Sequence, residues 1–139
     1  MKSTMHLHLT KDSRIADIQQ QFNVCYPYLK LQFSAQHIHV GATHVKRSLI
    51  PSDTLLRSIT HMEFPCQIDI DQSMTVARLE RCFEQKTGLH VQVFRSSGSL
   101  WLITTATDQW SLEKQNREGE ELSQKPNEEI EPLDIHEQE

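Results

Sequence analysis

The sequence predicts an α+β fold of two strand–helix–strand–strand units, with a mainly antiparallel or mixed sheet and its helices on one face. Two observations carry this. Met5 to Phe33, moved 61 places along, falls without a gap on Cys66 to Phe94 with its apolar residues in phase. Leu7 and Leu9 meet Ile68 and Ile70; Ile15, Ala16, Ile18 and Phe22 meet Val76, Ala77, Leu79 and Phe83; Phe33 meets Phe94. Only three of the twenty-nine positions are identical, so the pattern is the argument and identity is not. The second observation is that each copy changes from a two-residue period to helical spacing at the same place.

Taken in order, Met5-His-Leu-His-Leu9 alternates as a half-buried strand does. Asp12 or Ser13 can accept from free amides and cap a helix. The stripe of that helix is Ile15, Ile18, Phe22 and Cys25, and Pro27 stops it. Leu29, Leu31 and Phe33 form the second strand, and His37 to Val40 a short third one turned by Gly41. Ala42 to Ile50 reads as irregular, and Pro51 to Thr54 starts a short helical turn through Leu55, Leu56 and Ile59. In the second copy Cys66 to Ile70 is a strand, Ser73 or Thr75 caps a helix along Val76, Leu79 and Phe83, and Gly88 ends it. Leu89 to Val93 and Leu100 to Thr105 make a hairpin through Ser96-Ser-Gly98-Ser99. Trp110 to Asn116 forms a last short helix, with Ser111-Leu112 echoing Thr54-Leu55. Residues 1–62 and 63–112 are thus two halves of one compact domain sharing a core.

The arrangement resembles a ferredoxin-like fold, or two β-grasp-like halves packed together. Thr75-Val76, Leu79, Gly88-Leu89 and Ser111-Leu112 through Asn116 are similar to the later part of ubiquitin-like folds. Ile15 to Phe22, Tyr26-Pro-Tyr-Leu-Lys-Leu31, and Thr75-Val76 through Val93-Phe94 resemble an uncharacterised bacterial small-protein family with a duplicated unit of this kind. That resemblance spans most of residues 5–112 and implies no reaction.

Charge divides the chain near Leu112. Residues 113–139 hold ten acidic and three basic side chains, against nine and eleven in residues 1–112. The body is therefore near +2 and the tail supplies the −5 of the whole chain. A segment so polar is expected to be a disordered acidic tail. Within it Ile130, Leu133 and Ile135 stand among acids, a pattern that can dock into a basic, apolar groove or fold back on Arg95 and Lys30. The three cysteines lack metal-knuckle spacing, and Cys66 is in phase with the buried face. No run approaches the ~20 apolar residues of a membrane span, so no membrane partner is expected and the cytoplasm is the expected location.

Chemistry has few footholds. There is no GxSxG, HExxH or phosphate loop, which points away from an enzyme. Asp69 and Asp71 are the only paired carboxylates on a strand, and Asp69 faces outward. Histidine is the unusual ingredient, with eight in the chain. His6/His8 and His37/His39 are each two apart and project together, so neighbouring strands would gather four imidazoles able to hold zinc, copper or nickel. No other cofactor is implied. Phe94 and Trp101 break the inward phase of their strands and belong on an open face with Arg95 and Lys30 beside them. Such a patch fits an unidentified protein or a second copy of the chain. It also offers stacking to single-stranded nucleic acid, but +2 is little charge for phosphate and the tail opposes it. The leading expectation is a non-enzymatic protein–protein interaction or scaffold module.

Overall fold

The computed structural model describes residues 4–37 and 46–124. Its elements run β1 (Thr4–Leu9), α1 (Ile15–Cys25), β2 (Leu29–His37), β3 (Lys46–Leu49), a 3-10 turn (Leu56–Ser58), β4 (Cys66–Asp71), α2 (Val76–Thr87), β5 (His90–Ser97), β6 (Leu100–Ile103), a second 3-10 turn (Thr105–Thr107) and α3 (Leu112–Gln124). Every strand pairing is antiparallel. The α+β class is as expected, but the strands divide between two sheets: β1–β4 alone, and β3–β2–β5–β6.

Corresponding strands pair with each other. Leu7 lies opposite Ile68 in one sheet and Leu31 opposite Val93 in the other. The inward residues of both sheets and the stripes Ile15/Ile18/Phe22 and Val76/Leu79/Phe83 form one apolar core. Phe33 meets Phe83 edge-on at 5.6 Å, so a strand of the first half packs on a helix of the second. At ~25 cal/mol per Å², nineteen fully or nearly buried apolar side chains in one cluster are the main force holding the halves together.

The ends of the helices show how the order is fixed. Asp17 accepts from the Arg14 amide at 2.7 Å, so the cap residue of α1 is Arg14 and neither Asp12 nor Ser13. Thr75 caps α2 by accepting from Arg78 N–H, and Gly88 closes it at φ +76°, a left-handed value glycine adopts without strain. Each helix start is clamped by the segment after its half's last strand. Ile15 and Ala16 N–H donate to the carbonyls of Thr54 and Ser52; Val76 and Ala77 N–H donate to those of Trp110 and Asp108. Leu56 and Leu112, both buried, close the clamps by donating to Ser13 and Met74 carbonyls. Leu112 thus corresponds to Leu56, one place away from the Leu55 expected.

Four further expectations are corrected. α2 is one residue longer than α1, so the gapless match slips by one in β5: Val91 and Val93 take the places of Leu29 and Leu31, while Phe94 faces away from the core that holds Phe33. Cys25 is exposed and does not continue the α1 stripe. The third strand is Lys46–Leu49, inside the stretch read as irregular; residues 38–45 lie outside the described residues. Finally, the tail expected to be disordered does not begin at 113. Residues 112–124 form α3, which buries Leu112, Gln115 and Gly119, and only 125–139 lie outside the described residues.

Candidate functional site

A strand whose edge is not paired must hand its backbone groups to something else. Here α1 and α2 do this with side chains. Gln21 accepts from the N–H and donates to the C=O of His8, and Gln19 donates to the Leu31 carbonyl at 2.8 Å. Asn23 donates to Leu29 in the same way. On the other side Glu80 accepts from Val93 N–H at 3.2 Å, and Thr104 Oγ1 donates to Val93 C=O. The helices therefore flank the sheet edges, and among the described residues one broad face of the four-stranded sheet is left to solvent.

That face is built from the outward phase of its strands: Lys30, Gln32 and Ser34 on β2, His90, Gln92 and Phe94 on β5, Trp101 and Ile103 on β6, and Leu49 on β3. Leu49 is 68% exposed, Trp101 40% and Ile103 39%. Lys30 lies directly opposite Phe94, and its Nζ sits 4.7 Å from the Trp101 ring centre and 5.9 Å from that of Phe94. An ammonium over two ring faces is a cation–π arrangement that fixes the height of Trp101 above the sheet. No carboxylate stands among these outward residues. Beside them a cleft of about 590 Å³ runs between α1 and Trp101, lined by Gln19, Gln20, Asn23, Val24, Lys30 and Gln32. Val24, 82% exposed, is its apolar rim.

Phe94, Trp101 and Lys30 come together on this face. Arg95 does not. It follows the inward phase of Val91 and Val93, is 7% exposed, and donates to Gln115 Oε1 at 2.9 Å beneath Trp110. An arginine on a strand between Phe94 and Ser96 reads as surface; only the later helix carrying Gln115 makes its burial tolerable. The cleft wall on α1 was missed, although its signal is in the sequence: the Gln19-Gln20-Gln21 run alternates around the apolar stripe and must present amides sideways.

The histidine pairs are not gathered. β1 is bonded to β4, so His6 and His8 lie on the outer face of the two-stranded sheet, while His37 ends β2 in the other sheet and His39 lies outside the described residues. His6 Nδ1 is 2.7 Å from Asp69 Oδ1, and Gln67 donates to the same oxygen at 2.8 Å. The hydrogen bond from His6, then that from Gln67, holds the Asp69 carboxyl below its ordinary range. Among the described residues no three His, Cys, Asp or Glu side chains are arranged to hold a metal ion. The docking residues Ile130, Leu133 and Ile135 also lie outside the described residues. No described helix is long and apolar enough to cross a membrane.

One carboxyl near the site is displaced from its ordinary state. Burial, with a smaller push from Asp108, raises Glu80 from 4.5 to about 7 against the pull of the Val93 N–H. A carboxyl raised on folding holds its proton better in the folded chain, so the contribution of Glu80 to stability is fully present below pH ~4.5 and is lost as pH rises through ~7. We expect Glu80→Gln to flatten that fall in denaturant titrations. At pH 8 it should gain about 1–2 kcal/mol, the full linkage value being discounted because solvent still reaches the half-buried side chain. An unchanged slope between pH 4.5 and 7 would show that Glu80 does not titrate there.

Fold and surface together define an α+β protein with one open sheet face that is aromatic and amide-rich, its outward residues not acidic and the Glu80 carboxyl bonded to Gln92 beside it. No protein-family model matches the chain, and no curated protein or solved structure matches it.

Proposed function

We propose that the chain is a non-enzymatic protein-interaction module whose open sheet face receives an extended, apolar and acidic segment of a partner protein. The observation that supports this is Lys30 set over the rings of Phe94 and Trp101, with exposed Ile103 opposite Phe94 and exposed Leu49 further along the same sheet. Exposed aromatics clustered this way carry binding energy out of proportion to their number. Among the described residues β3 and β6 are the edges of the sheet, and with the amides of the adjoining cleft they suit an extended main chain, which needs donors and acceptors along its length. Single-stranded nucleic acid fits less well. Lys30 already covers the ring faces on which a base would stack.

A photo-crosslinking amino acid at Ile103, compared with one at His6 on the outer face of the other sheet, tests the proposal in cells. The expected result is a discrete protein adduct from position 103 that is absent from position 6 and lost with Trp101→Asp. Adducts removed by nuclease would overturn the reading in favour of nucleic acid. Equal adducts from both positions, or none, would remove the sheet face as the binding surface. Trp101→Asp should cost about 1–2 kcal/mol, from the lost contact with Lys30 and the poor strand preference of aspartate, and leave the chain folded.

A further inference from the structure

We infer that residues 128–135 of this chain, Glu-Glu-Ile-Glu-Pro-Leu-Asp-Ile, are an internal ligand of the open sheet face and compete there with a partner. The inference rests on the reading of that face as a binding surface and names what occupies it in the absence of a partner.

Three features of the molecule carry it. The first is where the described chain ends. Ser123 Oγ is 2.8 Å from Ser96 Oγ and accepts from Gly98 N–H at 3.3 Å, so α3 delivers the chain to the β5–β6 turn. Ser96 is the residue opposite Trp101. The second is reach. Ile130 is six residues beyond Gln124, and six residues extend at most ~20 Å, whereas β6 and β2 are separated by two strand spacings, ~10 Å. Ile130 can therefore reach Trp101 once the chain rounds the β5–β6 turn, and Leu133 and Ile135, further along, can reach Lys30 or the Val24 cleft.

Complementarity is the third. The segment carries four acids, Glu128, Glu129, Glu131 and Asp134, around three aliphatics. The face offers aliphatic and aromatic surface and the Lys30 ammonium, and the neighbouring Glu80 carboxyl is held by Gln92 and the Val93 N–H. Pro132 removes one N–H from the segment, which an edge or groove position tolerates and a central strand does not. A tether this short gives a local concentration in the millimolar range, so even a weak contact is populated. An incoming partner segment must then displace it, which sets a threshold on binding.

The full chain with Ile130→Ser, Leu133→Ser and Ile135→Ser provides the test, because the substitutions replace none of the nineteen side chains of the apolar cluster. The readout is the indole N–H resonance of Trp101, distinguished from that of Trp110 through Trp101→Phe. Docking predicts a different Trp101 resonance in the triple variant, no movement at Trp110, and restoration by a synthetic peptide of residues 126–137. Lys30→Glu should abolish the restoration, and added salt should weaken it. Identical Trp101 resonances in the parent and the triple variant would overturn the inference. A difference that grows with protein concentration would do so too, by assigning the contact to a second copy. A composition-matched peptide of scrambled order separates the two readings. If it moves Trp101 while the native peptide and the triple substitution do not, the face binds such segments but not its own; if neither peptide binds, the surface reading fails as well.

Discussion

Phe83→Ala is expected to destabilise the whole chain by about 3–5 kcal/mol, the usual cost of removing a fully enclosed phenyl ring. The expectation extends beyond magnitude. Phe83 belongs to the second half but meets Phe33 of the first edge-on, and both lie in one cluster with Leu7, Ile18 and Ile68. A cavity there removes contacts on both sides at once. Amide exchange should therefore accelerate together in β1, β2, β4 and β5, and chemical denaturation should remain a single transition with an unchanged slope. If only β4, α2 and β5 lose protection, the halves have separate interiors and the shared core is refuted. Phe22→Ala, its counterpart in α1, should give the same pattern with a similar loss, since its ring is equally enclosed and also packs 5.0 Å from Tyr26.

The parts legible in the sequence are those set by periodicity. Ile15/Ile18/Phe22 and Val76/Leu79/Phe83 announce their helices because nothing apolar interrupts the stripe, and Leu7/Leu9 against Ile68/Ile70 announces matching strands. The division into two sheets was not legible. Period two tells which residues share a face, and it carries no information about which strand lies alongside. In β1 the edge away from β4 is taken by α1, where Gln21 bonds both backbone groups of His8. The slip in β5 was hidden because a single extra residue in α2 leaves the α2 stripe intact and shifts only the strand after it.

α3 shows a different blindness. Its buried positions are Leu112, Gln115 and Gly119, and two of those three have no apolar side chain. Helical spacing is present but hydropathy cannot see it. Gln115 is buried because Arg95 and Thr107 satisfy its amide, with bonds of 2.9 and 2.8 Å. Counting acids in 113–139 averaged this helix with the fifteen residues beyond it. The open face was the part of the site that could be read, since Phe94 and Trp101 interrupt inward runs; the placement of Arg95 depended on a glutamine twenty residues away that no local pattern reveals.

Gly119 makes the role of that helix testable. An alanine Cβ there would lie 2.9 Å from Tyr28 Cβ, 3.1 Å from the Tyr28 carbonyl oxygen and 3.2 Å from Arg95 Cγ. The first two atoms belong to or adjoin the backbone at the start of β2 and cannot swing aside. Alanine favours a helix over glycine by about 1 kcal/mol, and overpacking costs about 1–3 kcal/mol, so a net loss of about 1–2 kcal/mol is expected for Gly119→Ala. Valine, with two more methyls, should cost about 3 kcal/mol. The damage should be local: the Asn116 acceptor at Tyr28 N–H and the Ser123 contact at Ser96 both depend on α3 lying this close. Amide exchange at Tyr28 and Ser96 should rise before that in the core. Glu120→Ala, on the exposed side of the same helix, should change stability by less than about 0.5 kcal/mol. A stabilised Gly119→Ala would mean that helix propensity outweighs contact and that α3 does not press on β2. The path by which the chain reaches the β5–β6 turn would then lose its anchor.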